Sequence, residues 1–155
     1  MELYRYHPKF DEFIQNYYLP DEQLHYSATP KKSIEVSKED KDRHPVLGID
    51  NNELVVFFIL HENDGVRPYS GRENAVLLRS FSTNYKHQGQ GYAKQSLQQL
   101  PDFMRVHLPH IDTIVLAVNV NNTAAQSLYK KSGYIDEGVR VEGAKGELIV
   151  MNYYL

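Results

Sequence analysis

Residues 87–93 read His87-Gln88-Gly89-Gln90-Gly91-Tyr92-Ala93, a pair of near-adjacent glycines set just ahead of an apolar pattern of helical spacing. Glycine carries no Cβ, so a bulky polyanion can approach the backbone closely there. The amides of a helix's first turn lack partners inside the helix and carry a partial positive charge. A pyrophosphate suits such a place, although a glycine-rich turn before a helix also serves as nothing more than a tight connection. Two familiar nucleotide loops do not fit. A phosphate loop of the Walker type needs a Gly-Lys-Ser/Thr ending, and none is present. A dinucleotide fingerprint needs a third glycine and an acidic residue closing a parallel strand, whereas Asp112 opens a strand pattern.

Other reactive groups are sparse. The chain has no cysteine, which excludes a disulfide framework, a cysteine nucleophile and a thiolate metal site together. Seven histidines are present without ligand spacing; His107 and His110 are separated by Pro109, so no metal is expected. Tyr129 carries a phenol that can donate a proton, and beside Leu128 it equally fits the apolar stripe of a helix. Lys130 and Lys131 fit a phosphate contact or the favourable end of a helix dipole.

The elements that would position these groups follow from periodicity. Met1 to Tyr6 reads as a short strand. Phe10, Phe13, Ile14 and Tyr17 form a helix face over Lys9 to Tyr18, stopped at Pro20. Asp21 to Arg43 is polar and weakly patterned, a loop with room for one short helix. Pro45 to Asp50 and Glu53 to His61 are strands, and the Asn51-Asn52 link between them tolerates positive φ, as a hairpin requires. Asn63 to Asn74 is a loop, and Ala75 to Thr83 is a further strand. Ala93, Leu97, Leu100, Met104 and Leu108 mark a long helix in which Pro101 predicts a kink or a break. Ile111 to Val118 is a strand. Asn122 to Ser132 is a helix with an Asn cap and Gly133 past its end. Tyr134 to Val141 and Glu147 to Tyr154 are the last strands. The predicted fold class is mixed α/β, with a central, largely antiparallel sheet flanked by helices.

With 155 residues, 41% hydrophobic and 24% charged, the chain reads as one domain over residues 1–155. Its net charge of −3 argues against a nucleic-acid partner. The longest apolar run, Leu54 to Leu60, is too short to cross a bilayer, and the first residues lack a signal-peptide pattern. A cytoplasmic protein with no membrane partner is expected.

Two blocks together resemble the GNAT superfamily of acetyltransferases. Gln88-x-x-Gly91-x-Ala93 is similar to its Gln/Arg-x-x-Gly-x-Gly/Ala loop. Asn122-x-x-Ala125-x-x-Leu128-Tyr129-x-x-x-Gly133-Tyr134 is similar to its second block, about 30 residues on. The resemblance covers Ala75 to the C-terminus well and the first half only in its order of elements. It implies acetyl-CoA as co-substrate and a primary-amine acceptor, acetylated by direct transfer in a ternary complex. The strands Ala75–Thr83 and Ile111–Val118 would splay apart to admit the cofactor. The amides of Gln88, Gly89, Gln90, Gly91, Tyr92, Ala93 and Lys94 would hold its pyrophosphate. The backbone of Phe81, Ser82 and Thr83 would run beside the pantetheine arm, Asn122 would support that arm, and Tyr129 would protonate the departing sulfur.

The strand Leu77 to Thr83 lacks the glutamate that many members use as base. His61, Glu62, Asp64 and Glu73 border the expected cleft as strand-end residues, and water can serve instead. Without a base, a non-catalytic acyl-CoA-binding module is the alternative reading. The segments Asp21–Arg43 and Asn63–Asn74 are expected to frame the acceptor pocket. No motif names the acceptor, which is a small molecule or a peptide amine, or the oligomeric state, for which a homodimer stays open.

Overall fold

The structure is a computed structural model and describes residues 1–24 and 27–155. Seven strands form one sheet in the order β1-β2-β3-β4-β5-β7-β6: β1 Glu2–Arg5, β2 Arg43–Asp50, β3 Glu53–His61, β4 Ala75–Thr83, β5 Thr113–Asn119, β6 Ile135–Gly143 and β7 Gly146–Tyr154. All neighbours are antiparallel except β4 and β5, which run parallel. The helices are α1 Asp11–Gln15, α2 Asp21–Leu24, α3 Pro30–Lys38, α4 Tyr92–His107 and α5 Thr123–Lys131.

β3 explains the sheet's two-sided cover. Its uninterrupted apolar run is buried from Leu54 to His61. Val56, Phe58 and Leu60 join the core under α4, with Leu97, Leu100, Phe103 and Met104. Phe57 and Ile59 join Phe10, Ile14 and Ile34 from the α1 and α3 side. A strand covered on both faces needs no polar alternation. The hairpin into β3 turns through Asn51 at φ 49° and Asn52 at φ 61°, the primed geometry that twisted strands favour.

Three expectations are corrected. Pro101 sits inside α4, which continues unbroken to His107. The break does not occur: buried Leu97 and Leu100 before the proline, and Phe103 and Met104 after it, keep both halves in one helix at the expense of one backbone hydrogen bond. The helix expected over Lys9 to Tyr18 shrinks to α1 after a single 3₁₀ turn, Pro8–Phe10. Its second half is drawn onto β4: Tyr17 Oη lies 2.7 Å from Ser82 Oγ, and the Tyr85 amide donates to the Tyr18 carbonyl at 2.9 Å. Asp21 to Arg43 holds two helices instead of at most one. Thr29 caps α3 by accepting from the Lys32 amide, with Pro30 at the first helical position. His25 and Tyr26 in this segment lie outside the described residues.

Candidate active site

β4 and β5 stay paired for only three positions, Ala75 with Thr113, Val76 with Ile114 and Leu77 with Val115. Beyond Leu77 they part. β5 continues to Asn119 along β7 alone. β4 bulges against β3: Phe57 opposes Ser82 and Ile59 opposes Arg79, leaving Ser80 and Phe81 against Phe58. Ser80 takes φ 55° there, the left-handed region a bulge can require. The bulge falls just past the last β4–β5 pair.

A cavity of about 430 Å³ fills the opening, lined from β4 by Phe81, Ser82 and Thr83 and from α5 by Asn122, Ala125 and Tyr129. Five of the residues expected from the sequence therefore meet on one cleft. Phe81 is stacked on Phe58 at 5.5 Å between ring centroids and edge-on to Tyr129 at 6.2 Å. Burial pushes the Tyr129 phenol up to about 12. Asn122 has two ends. Its side-chain oxygen accepts from the Ala125 amide at 3.2 Å and caps α5, while its Nδ2 donates to no described residue.

None of the residues of the glycine loop lines this cavity. Gln88 joins the two: its Nε2 donates to the Thr83 carbonyl at 3.1 Å and to Gln23 Oε1 at 2.6 Å. Gly89 and Gly91 adopt φ 77° and 83°, and a Cβ built on either would meet no atom within 4 Å. Open space and left-handed backbone, not crowding, make these positions glycine. The first hydrogen bond of α4 runs from the Gln95 amide to the Gly91 carbonyl at 3.0 Å. The amides of Tyr92, Ala93 and Lys94 thus precede the helical ladder, and no acidic side chain competes in that turn. The Tyr92 side chain turns the other way, donating to Asp50 at 2.6 Å. An open glycine face, unsatisfied helix-end amides and a spare Asn122 donor fit a pyrophosphate with a long amide-bearing arm.

Across the shared wall of Leu78, Arg79, Ser80 and Ala117 lies a second compartment of about 600 Å³. Thr29 and Lys32 reach it from the segment Asp21–Arg43, and Tyr69 from the loop Asn63–Asn74. Among the described residues no Asp or Glu lines either compartment. Glu62 is not a solvated strand end. His44 and His110 each approach its oxygens at 2.6 Å. Burial raises its pKa, and these two partners more than offset that, leaving it below the usual value. His61 is buried at 4% exposure, and its pKa is lowered by burial, then by Arg43 and Arg79. Its Nδ1 lies 3.2 Å from Arg79 Nη1. Sequence reasoning missed Gln23, Arg79 and the Gly143–Lys145 turn, which also line the cleft. None belongs to a motif, and only the glycines at 143 and 146 mark that turn.

Comparison with known proteins decides the family. The model of the acetyltransferase (GNAT) family matches residues 8–134. The chain belongs to the GNAT acetyltransferase family. The acetyltransferase is also 35% identical over 151 residues to the uncharacterized N-acetyltransferase YbbJ of Bacillus subtilis (strain 168), covering 97% of this chain and 94% of that one. Its fold is similar to a Bacillus subtilis acetyltransferase in complex with CoA, at TM-score 0.66 and 16% identity, covering 99% and 97% of the two chains. It is similar also to the aminoglycoside acetyltransferase AAC(6')-Ib in complex with coenzyme A and kanamycin, at TM-score 0.75 and 14% identity, covering 98% and 93%. Among the described residues no helix is long and apolar enough to cross a membrane.

Proposed function

We propose that this acetyltransferase moves the acetyl group of acetyl-CoA directly to a primary amine bound beside it, with both substrates on the protein at once. The cleft between β4 and β5 carries the reading, because it gathers Phe81, Ser82, Thr83, Asn122 and Tyr129 on one cavity that adjoins a second. Acetyl-CoA supplies the acetyl group already activated as a thioester. The amides from Gln88 to Lys94 hold the pyrophosphate, Asn122 Nδ2 donates to the pantetheine arm, and the free edge of β4 at Phe81–Thr83 pairs with it. The amine nitrogen bonds to the acetyl carbon as the carbon–sulfur bond breaks, and the nitrogen's proton passes to water. The Tyr129 hydroxyl donates to the departing sulfur. Held near 12, against about 8.5 for an ordinary thiol, it stabilises the thiolate by a hydrogen bond without giving up its proton.

One observation favours a second reading. A lining without carboxylates among the described residues is also what a non-catalytic acyl-CoA-binding module of this fold would show. Release of free CoA from acetyl-CoA with a panel of amines separates the two. Initial velocities should give intersecting lines, as a ternary complex requires. Parallel lines would point to an acetylated enzyme, and tight acetyl-CoA binding with no CoA release from any amine would favour the binding module.

A further inference from the structure

The acceptor compartment is charged on one side of the ledger only. Its ionic lining consists of Lys32 from α3, Arg79 from β4 and Lys145 from the β6–β7 turn, and no described carboxylate lines it. Arg79 is the best defined of the three. It pairs with no described carboxylate, and buried His61 holds it instead: Nδ1 faces Arg79 Nη1 at 3.2 Å while Nε2 faces Asp40 at 3.4 Å. This chain sets the histidine's tautomer, with Nε2 protonated toward the acid and Nδ1 accepting from the guanidinium. A Cβ on Gly65 would fall 2.2 Å from the His61 ring, so that glycine is what lets the imidazole sit there. The Ser27 hydroxyl, in the wall shared by both cavities, is buried without a hydrogen-bond partner, an uncommon state that a polar ligand group would relieve.

Resting on the transferase reading above, we infer that the acceptor is a small amine that also bears an anionic group, a carboxylate or a phosphonate-like oxyanion, bound by Arg79 with Lys32 beside it. A guanidinium offers two parallel donors to such a group and is already oriented. Polycationic acceptors, such as the kanamycin bound by the aminoglycoside enzyme of similar fold, meet repulsion in this compartment. The same charge has a chemical use. An ammonium beside Lys32 and Arg79, in a compartment that no described carboxylate lines, is disfavoured against the free amine. The compartment thereby does part of the work of the absent base.

The test compares matched acceptors by CoA release: amino acids, their primary amides, aminoalkylphosphonates, spermidine and kanamycin. Amino acids or aminoalkylphosphonates should exceed the amides by at least about tenfold in kcat/KM, and whichever series leads identifies the oxyanion. Arg79→Gln should erase that preference, Arg79→Lys should restore part of it, and Lys32→Gln should weaken it with acetyl-CoA affinity unchanged. Binding gives an independent readout. On the CoA-loaded protein, calorimetry should find N-acetyl amino acids tighter than their amides by a similar factor. If no amine releases CoA yet this preference holds, the transferase reading fails and the anion site stands. Spermidine or kanamycin outperforming every acid, or equal binding of acids and amides, overturns the inference.

Discussion

At the scale of single residues, Tyr129 separates chemistry from packing most cleanly. Its ring is wedged between Phe81 and Tyr134, at centroid distances of 6.2 and 5.9 Å, and no described residue bonds its hydroxyl. Tyr129→Phe keeps those contacts, so stability should change by less than about 1 kcal/mol. Turnover should fall about 100-fold with acetyl-CoA affinity nearly intact; equal turnover in mutant and parent would leave the ring a packing residue. The pH dependence of stability gives a second check. Burial holds the Tyr129 phenol near 12, above its ordinary 10.0, and raises Tyr17 and Tyr134 as well. Groups raised by folding stabilise fully below their unfolded value and lose that contribution as pH climbs through the folded value. Denaturant midpoints should hold level up to about pH 10 and fall steeply beyond it, and Tyr129→Phe should flatten the fall. A decline already complete by pH 9 would contradict the burial of these phenols.

At the scale of elements, the same residue can serve two masters, and Asn122 does. Asn122→Ala removes the cap on α5, costing about 1 kcal/mol, and removes the Nδ2 donor from the cavity. Asn122→Ser keeps a cap and replaces the Nδ2 donor with a shorter hydroxyl. Both should weaken acetyl-CoA in calorimetry while only alanine lowers the melting temperature; a serine variant with parental affinity would reduce Asn122 to a cap. The elements also show what could be read in advance. β3, β4 and the helix after Asn122 were legible because their signals are local: an apolar run, a cap and a glycine stop. α1 was overread because Tyr17 obeys helical spacing yet is claimed by Ser82 on a distant strand. The break allowed for at Pro101 fails for the opposite reason: burial around it outweighs one lost hydrogen bond. Within the site, Gln88, Gly91, Asn122 and Tyr129 stood out through the two blocks that resemble the family's, since spacing alone left Tyr129 a packing residue and Asn122 a cap. Arg79 did not, since its meaning depends on His61, 18 residues away in sequence and across a strand pair.

At the scale of the whole molecule, β1 to β4 and β5, β7 and β6 make two subsheets whose ladder is three pairs long. A ligand lying in the gap supplies partners that neither strand finds in the other. Saturating CoA, at about 100 times Kd, should raise stability by about 2.7 kcal/mol. Hydrogen exchange should slow most at Leu78–Thr83 and at Leu116–Asn119, on the two facing edges. Protection spread evenly over the sheet would place the ligand elsewhere.

The short seam has a consequence for how the chain reaches this fold. Strands β1 to β4 pair in chain order except for the segment holding α1 to α3, and β5 to β7 close within about 40 residues of each other. Each half can gather its contacts with modest loop-closure entropy, and the crossover through α4 brings them together last. Trimming the seam should then leave the rate-limiting nucleus untouched. Ile114→Val, in the middle of the three pairs and fully buried, should cost about 1 kcal/mol. Nearly all of it should appear as faster unfolding, with the refolding rate unchanged. A matching drop in the refolding rate would mean that the joint between the halves forms first.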